Sequence, residues 1–145
     1  MPDNPTPTIS PYLLYEDATA AVEWLTSAFG LEQRPRLTDA SGAVSHAELG
    51  LGEATIMLGA PGGGYQNPAH SGHVHSQVYA YVDDVDAHFE RARAAGATIL
   101  EQPSDQFYGD RRYSAVDPEG HHWFFATRVR EVSEEEMAAG AAARA

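Results

Sequence analysis

The chain repeats one pattern of segments, and this repeat restricts the possible fold more than any other feature of the sequence. A short apolar run before Glu16-Asp17 leads into a helical pattern, and a second run before Asp83-Asp84 does the same. Aligning Glu16 with Asp83 gives an offset of 67 residues. Self-similarity at such a spacing means that one supersecondary unit is built twice. We therefore expect two copies of one module.

Each copy contains an apolar run, a helix and three strands. Apolar residues recur at helical spacing from Ala18 to Phe29, with Asp17 as the N-cap and Gly30 as the stop. Asp84 and Gly96 bound the second helical pattern in the same way. The strands predicted after the helices are Leu31–Leu37, Val44–Leu49 and Ala54–Leu58, and then Thr98–Glu101, Arg112–Val116 and His122–Thr127. This order predicts an α+β fold of tandem βαβββ modules.

The length of 145 residues is that of one average domain. We place module one at about 8–60, a linker at about 61–74, module two at about 75–128 and a tail at 129–145. The stretch from Ala60 to Gly72 is rich in Gly and Pro, and we interpret it as a flexible linker. Ser133 with Glu136 three residues later is a capping box, which predicts a short C-terminal helix.

Composition excludes several classes of function. The chain has no Cys, which excludes a disulfide scaffold, a thiolate metal site and a Cys nucleophile. It shows no signal-peptide pattern and no apolar run of membrane-spanning length, so we expect a cytoplasmic location and no membrane partner. The formal net charge of −12, with nine Lys plus Arg against 21 acidic residues, repels nucleic acid and attracts cationic ligands.

Several short motifs make the chain similar to a known superfamily. They are Pro11-Tyr-Leu, Ala28–Gly30, His46–Leu49, Ala94–Ala97, Gln106–Arg111 and Asp117–His121 before Trp123. With the repeat, they resemble the glyoxalase, bleomycin-resistance and extradiol-dioxygenase (vicinal-oxygen-chelate) superfamily, most closely its glyoxalase-like subgroup, from about Ile9 to Met137. The resemblance implies that each sheet curls into half of a cup, with the chemistry on the concave side. It also implies a homodimer.

The metal enzymes of that superfamily place four ligands in the cup. Carried over strand by strand, the four positions fall on Ser10, Met57, Gln77 and Phe124. A hydroxyl, a thioether, an amide and a phenyl ring are poor ligands for a hard or borderline divalent cation. We therefore expect no metal and no cofactor, and neither the glyoxalase nor the dioxygenase mechanism.

A metal-free cup is what the resemblance implies for the bleomycin-resistance branch, whose members bind an aromatic, cationic antibiotic without acting on it. Strand alternation puts aromatic and polar side chains on the cup face, where they can stack on a ligand. Our leading hypothesis is a metal-independent protein that sequesters such an antibiotic or a secondary metabolite. The predicted ligand contacts are Tyr12, Glu48, Gln77, Tyr79, Tyr81, Phe124 and Arg111.

Other functions stay open at this point. His46 and Glu48 lie two residues apart on one strand and thus share a face, which suits acid–base chemistry by a lyase or isomerase on a small oxygenated metabolite, or a non-standard metal site. A third hypothesis is an interaction subunit whose cup binds nothing. In the loop before the seventh strand, Arg111 can clamp an anion and Asp110 can meet a cation, or the two pair and fix their own loop.

Overall fold

The computed structural model describes residues 6–144 of the chain. They form two compact units, residues 6–75 with 118–121 and residues 76–117 with 122–144. The described elements are β1 (Tyr12–Leu14), α1 (Ala18–Phe29), β2 (Glu32–Thr38), β3 (Val44–Leu51), β4 (Ala54–Gly59), α2 (Pro68–Ser71), β5 (Gln77–Tyr81), α3 (Val85–Ala94), β6 (Thr98–Asp105), β7 (Asp110–Val116), β8 (His122–Arg128) and α4 (Glu134–Ala142). None of the helices formed by residues 6–144 is long and apolar enough to cross a membrane.

Each unit contains one four-stranded mixed sheet. The strand order is β1-β4-β3-β2 in the first unit and β5-β8-β7-β6 in the second. In both, the first strand is parallel to its neighbour and the other pairs are antiparallel. Tyr12 lies opposite Met57, and Tyr79 lies opposite Phe124, so the register repeats at the predicted offset. The α+β fold of tandem βαβββ modules is confirmed.

The two long helices begin where the sequence predicts. The Asp17 carboxylate accepts a hydrogen bond from the backbone N–H of Ala20, and Asp84 accepts one from Ala87. Gly30 ends α1 in the left-handed region at φ 70°, which glycine adopts without steric cost. Because their apolar residues recur at helical spacing, α1 packs on β2 and β3, and α3 packs on β6, β7 and β8.

The helix covers one face of each sheet, and we call the opposite face the open face. Strand alternation assigns the side chains to the two faces. In the second unit Trp123, Phe125 and Tyr113 are fully buried, and the Phe125 ring lies 4.1 Å from that of His88 on α3. Phe124, between two buried neighbours, therefore points to the open face.

Residues 60–72, which the sequence predicts to be a flexible linker, are not irregular throughout. The segment contains the one-turn helix α2, and its N-cap Asn67 is buried. The carboxylate of Glu119 accepts hydrogen bonds from Asn67 Nδ2 at 2.9 Å and from the backbone N–H groups of Glu16 and Asp17 at 2.6 and 2.9 Å. The sequence pattern did not reveal this anchor because Glu119 is far from the segment along the chain.

Two smaller findings concern the C-terminal helix and the loop between β6 and β7. Ser133 accepts a hydrogen bond from the backbone N–H of Glu136 at 3.1 Å, so the predicted N-cap and helix are confirmed. The predicted loop at Gln106–Arg111 is shorter than expected, because β6 continues to Asp105 and β7 already begins at Asp110. Asp110 and Arg111 are therefore strand residues that point to opposite faces of the sheet.

Candidate functional site

The open face of the first unit carries a row of three polar side chains. The Tyr12 hydroxyl lies 2.9 Å from His46 Nδ1, and His46 Nε2 lies 3.6 Å from a carboxylate oxygen of Glu48. Gly59 makes room for the tyrosine, because a Cβ at this position would lie 2.7 Å from the Tyr12 ring. The ring is nevertheless 52% exposed. Both ring nitrogens of His46 are thus engaged, while Glu48 still faces a neighbouring pocket.

That pocket has a volume of about 280 Å³ and lies within the first unit. Its walls are Thr6, Pro7, Arg34, Pro35, Glu48, Thr55 and Met57. The Arg34 guanidinium donates a hydrogen bond to the Thr55 hydroxyl, which belongs to a residue that is only 6% exposed. The pocket therefore combines a cation, an anion and apolar walls.

The open face of the second unit is organised around one buried carboxylate. Asp110 is 1% exposed and accepts three hydrogen bonds through its side chain. Tyr79 and Tyr81 donate from their hydroxyls at 2.7 and 2.8 Å, and Arg128 donates from Nε at 2.6 Å. A buried charge needs such partners, since an unpaired one would be costly.

This environment raises the pKa of the two phenols and lowers the pKa of the carboxyl group. Burial raises the pKa of both Tyr79 and Tyr81, and the hydrogen bonds to Asp110 raise it further. Burial alone would also raise the pKa of Asp110, but Arg128 and the two phenols outweigh it and hold that pKa below its usual value. At neutral pH the phenols are therefore protonated donors and the carboxylate is a fixed anion. The network is suited to positioning side chains rather than to moving protons.

The hydroxyls hold the aromatic rings in place while the rings stay open to water. Tyr79 stacks on Phe124 with ring centroids 5.7 Å apart and an interplanar angle of 19°. The Tyr79 and Tyr81 rings lie 5.6 Å apart, and these residues are 39% and 52% exposed. We call Tyr79, Tyr81 and Phe124 the ring platform.

Two arginines already contact the ring platform. The guanidinium carbon of Arg112 lies 4.8 Å from the Phe124 ring centroid, and that of Arg128 lies 5.8 Å from the Tyr81 centroid. These are cation–π distances. The chain's own side chains thus take positions at which a cationic ligand was expected to bind.

The structure brings together some of the ligand contacts predicted from the sequence. Gln77, Tyr79 and Tyr81 alternate along β5, and Gln77 is exposed. Tyr12 and Glu48 lie on the open face of the first unit. Arg111 is separated from the ring platform by its own sheet, because it points toward α3 and binds Asp86 at 3.0 Å and Asp105 at 3.1 Å.

The alternative in which Asp110 and Arg111 pair with each other is wrong, since each binds other residues. The carboxylate of Asp110 binds Arg128 from the neighbouring strand, on the open face. The Arg111 guanidinium instead lies on the helix side of β7. Adjacent strand residues point to opposite faces, so a direct ion pair between them is not formed here.

The four side chains at the superfamily's metal positions do not fit a divalent cation. The Ser10 hydroxyl donates to the backbone carbonyl of Thr55, and the Phe124 ring lies between Tyr79 and Arg112. Met57 and Gln77 offer only a thioether and an amide. Within residues 6–144, no group of three or more His, Asp and Glu side chains has the geometry of a metal site.

Several residues of these surfaces were missed by the sequence reasoning. They are Arg34, Thr55, Tyr108, Arg112 and Arg128, and Asp110 was expected only as a loop residue. The Tyr108 hydroxyl lies 3.2 Å from that of Tyr79 and accepts a hydrogen bond from Arg112 at 2.8 Å. The alternation of Asp110, Arg112 and Ser114 was the signal for β7. It was overlooked because the strand was started two residues late.

Comparisons with known proteins agree with this fold. The sequence model of the Glyoxalase/Bleomycin resistance protein/Dioxygenase superfamily matches residues 9–125. An uncharacterised protein of Mycobacterium bovis is 36% identical over 141 residues, which cover 94% of this chain and 93% of that protein. An uncharacterised protein of Mycobacterium tuberculosis has the same identity over 94% of this chain and 83% of its own length.

Solved structures extend the comparison. The crystal structure of TioX from Micromonospora sp. ML1 matches with a TM-score of 0.71 and 36% identity, over 86% of this chain and 100% of that one. The fosfomycin resistance protein FosX from Listeria monocytogenes has a TM-score of 0.61 at 16% identity, over 90% of this chain and 97% of that one, and so shares the fold alone. Since the family match spans most of the repeat and its register, the chain belongs to the Glyoxalase/Bleomycin resistance protein/Dioxygenase superfamily.

Proposed function

We propose that the protein binds a planar aromatic small molecule without a metal and without acting on it, as a sequestering or carrier protein. The observation that carries the proposal is the ring platform. Its phenols are held by a buried carboxylate, and yet Tyr79 and Tyr81 remain 39% and 52% exposed. Exposed aromatic rings with fixed orientation are typical of surfaces that stack on flat ligands.

Fixed rings favour binding because little freedom is lost when the ligand arrives. A free tyrosine side chain would lose rotamer freedom on binding, which costs about 0.5–1.5 kcal/mol for a side chain that becomes ordered. The hydrogen bonds to Asp110 already restrict Tyr79 and Tyr81. The stacking of Tyr79 on Phe124 restricts that ring further.

The charge of the ligand follows from short-range contacts rather than from the net charge of the chain. The formal charge of −12 favours a cation at long range. Exposed charges are screened beyond about 8 Å at physiological ionic strength, however. Arg112 and Arg128 already occupy the cation–π positions on Phe124 and Tyr81, so a second cation would have to displace them. We therefore propose a neutral or anionic aromatic ligand, in place of the cationic one expected from composition.

A matched set of naphthalene compounds tests the proposal. The probes are 2-naphthoate, 2-naphthylmethanol and 2-naphthylmethylammonium, which share one ring system and differ in charge. We expect isothermal titration calorimetry to show the tightest binding for 2-naphthoate and the weakest for the ammonium compound. Phe124→Leu should weaken binding about three- to tenfold, because an aromatic pair contributes about 0.5–1.5 kcal/mol beyond its buried area.

Phe107→Leu is the control for that substitution. Phe107 lies in the same unit but packs against Arg144 and Gly140 of the C-terminal helical segment, so its loss should leave binding unchanged. Tyr79→Phe keeps the ring and removes only the hydroxyl. The proposal fails if none of the three compounds binds below about 100 μM, a modest affinity of some 5–6 kcal/mol, or if Phe124→Leu and Phe107→Leu behave alike.

A second candidate function is proton transfer on a small oxygenated metabolite. The contacts of His46 with Tyr12 and Glu48 favour it, because they fix the ring of a possible acid–base group. An enzyme would be supported if the protein turned over such a metabolite, and if Glu48→Gln abolished this turnover but left the binding of the naphthalene compounds unchanged. Assembly as a homodimer and a cytoplasmic location also stay predictions.

A further inference from the structure

Arg34 differs from most other arginines in having no carboxylate partner. Ion pairs with Asp or Glu are formed by Arg36, Arg93, Arg111, Arg112, Arg128 and Arg130. Among residues 6–144, the side chain of Arg34 forms no ion pair and has the Thr55 hydroxyl as its hydrogen-bond acceptor. In a chain with 21 acidic residues, this guanidinium still has donors to offer to the pocket of the first unit.

The backbone around Arg34 leaves space for the guanidinium. A Cβ on Gly50 would lie 2.5 Å from Arg34 Nη2, so a side chain at that position would displace the charged group. Gly50 is not one of the glycines with positive φ, so its backbone conformation does not require glycine. The missing side chain matters because it leaves space for the Arg34 guanidinium. Thr55, which is buried, fixes the guanidinium from β4, one strand beyond Gly50 on β3.

The same pocket is lined by a charge of opposite sign. Glu48 contributes a carboxylate that lies 3.6 Å from His46 Nε2 and forms no ion pair with Arg34. Pro7, Pro35 and Met57 supply apolar wall. The volume of about 280 Å³ lies just below the range of about 300–1,000 Å³ for ligand pockets, which indicates a small ligand.

We propose that this pocket binds an α-amino acid, either free or as the zwitterionic end of a larger molecule. The ligand carboxylate meets Arg34, because a guanidinium offers paired donors that match the geometry of a carboxylate. The ligand ammonium meets Glu48. An apolar ligand side chain packs against Pro35 and Met57. No residue of the ring platform takes part, so this inference does not rest on the proposed function.

The test uses L-leucine, N-acetyl-L-leucine and L-leucinamide, which carry both charges, the carboxylate alone and the ammonium alone. In calorimetric titrations of the full chain we expect L-leucine to bind most tightly. Each derivative should bind about tenfold more weakly, because it lacks one of the two charges and so loses about one charge-assisted hydrogen bond. Arg34→Gln should weaken leucine binding about tenfold or more. Glu48→Gln should weaken leucine while leaving N-acetyl-L-leucine unchanged.

Arg36→Gln is the matched control. It removes the same charge from the same strand, but Arg36 binds Glu23 of α1 on the other side of the sheet, so leucine binding should not change. Gly50→Ala adds a geometric test, since it should displace the guanidinium and weaken leucine about tenfold while thermal unfolding shows an intact fold. The proposal is overturned if leucine produces no binding up to about 10 mM, equivalent to less than 3 kcal/mol. It is also overturned if L-leucinamide binds as tightly as leucine, or if Arg34→Gln and Arg36→Gln have equal effects.

Discussion

The buried carboxylate of the second unit provides the sharpest prediction from the structure. Asp110→Asn keeps the size of the side chain but removes its charge and one of its two acceptor oxygens. Tyr79, Tyr81 and Arg128 all donate to this carboxylate, and asparagine cannot accept all three hydrogen bonds at full strength. We therefore expect Asp110→Asn to destabilise the fold and to loosen both tyrosine rings.

The magnitude follows from the hydrogen bonds that change. A hydrogen bond to a charged group contributes about 1.5–3 kcal/mol, and a neutral one about 1 kcal/mol. Both phenols donate to the same oxygen, Oδ2. When the amide of the variant keeps its oxygen at this place, both phenol bonds become neutral and its Nδ2 group faces Arg128. Arg128 is partly exposed, so water replaces much of what its side chain loses. The free energy of unfolding should fall by about 2–4 kcal/mol.

Urea unfolding monitored by circular dichroism measures this loss, and Asp105→Asn is the matched control. Asp105 lies in the same hairpin and pairs with Arg111, but its side chain is exposed. An exposed ion pair contributes only about 0–1 kcal/mol, so the control should stay near the wild-type stability. The slope of the unfolding curve should be unchanged in both variants, because neither changes the surface exposed on unfolding.

The pH dependence gives an independent check. Burial raises the pKa of Asp110, but Arg128 and the tyrosine hydroxyls lower it by more, so in the folded protein it lies below 3.8. A carboxylate with a lowered folded pKa stabilises the fold above its unfolded value and loses this contribution as the pH falls through the folded value. The difference in the free energy of unfolding between wild type and Asp110→Asn should thus be constant above about pH 5, and it should become smaller as the pH falls below 3.8. A loss below about 0.5 kcal/mol, which is ordinary for surface changes, or equal losses in Asp110→Asn and Asp105→Asn, would refute the reasoning.

Two further substitutions test other parts of the fold by urea unfolding. Gly109→Ala should lower the free energy of unfolding by about 3 kcal/mol or more, because Gly109 has φ 100° and a Cβ there would lie 2.3 Å from the Arg130 carbonyl oxygen. Its control is Gly42→Ala, which should lower it by only about 1–2 kcal/mol, because Gly42 has φ 87° but lies in open space. Equal losses in the two variants would contradict the steric argument. Glu119→Ala removes the acceptor of two backbone N–H groups at the start of α1. The variant should lower the free energy of unfolding by about 1–3 kcal/mol. It should also speed proteolysis in residues 61–66. Glu53→Ala in an exposed turn is its control, and slow cleavage in both variants would mean that Glu119 does not anchor the segment.

The parts of the fold that the sequence predicted depend on local signals. Asp17 and Asp84 were recognised as N-caps because a short acidic side chain before an apolar helical pattern satisfies free backbone N–H groups. The register of Tyr12 with Met57 follows from the repeat, since one offset relates both sheets. Such features need only neighbouring residues or the period of the chain.

The parts that were missed depend on contacts distant in the sequence. Simple alternation predicts that Arg34 and Arg36 share a face of β2. The pairing with β3 shifts between Gln33 and Arg36, and Arg34 instead points to the open face while Arg36 reaches α1. An irregularity of this kind reverses the facing of the residues after it, and nothing in the local sequence fixes its position. Arg111 was predicted to contact the ligand, but its guanidinium instead forms an ion pair with Asp86 on α3, which is also distant in the sequence.

The two units show how one backbone pattern supports two different surfaces. Tyr12 and Tyr79 occupy the same register position, and each has its hydroxyl anchored while its ring remains exposed. Tyr12 lies opposite Met57 in the first unit, and Tyr79 lies opposite Phe124 in the second. The second unit therefore has a stacking ring where the first has a flexible thioether. The anchor also differs, because it is the imidazole of His46 on β3 in the first unit and the carboxylate of Asp110 on β7 in the second. Since the sheets share their strand order and register, we attribute the difference between the two proposed ligands, a flat ring and a small charged molecule, to these side chains and not to the backbone.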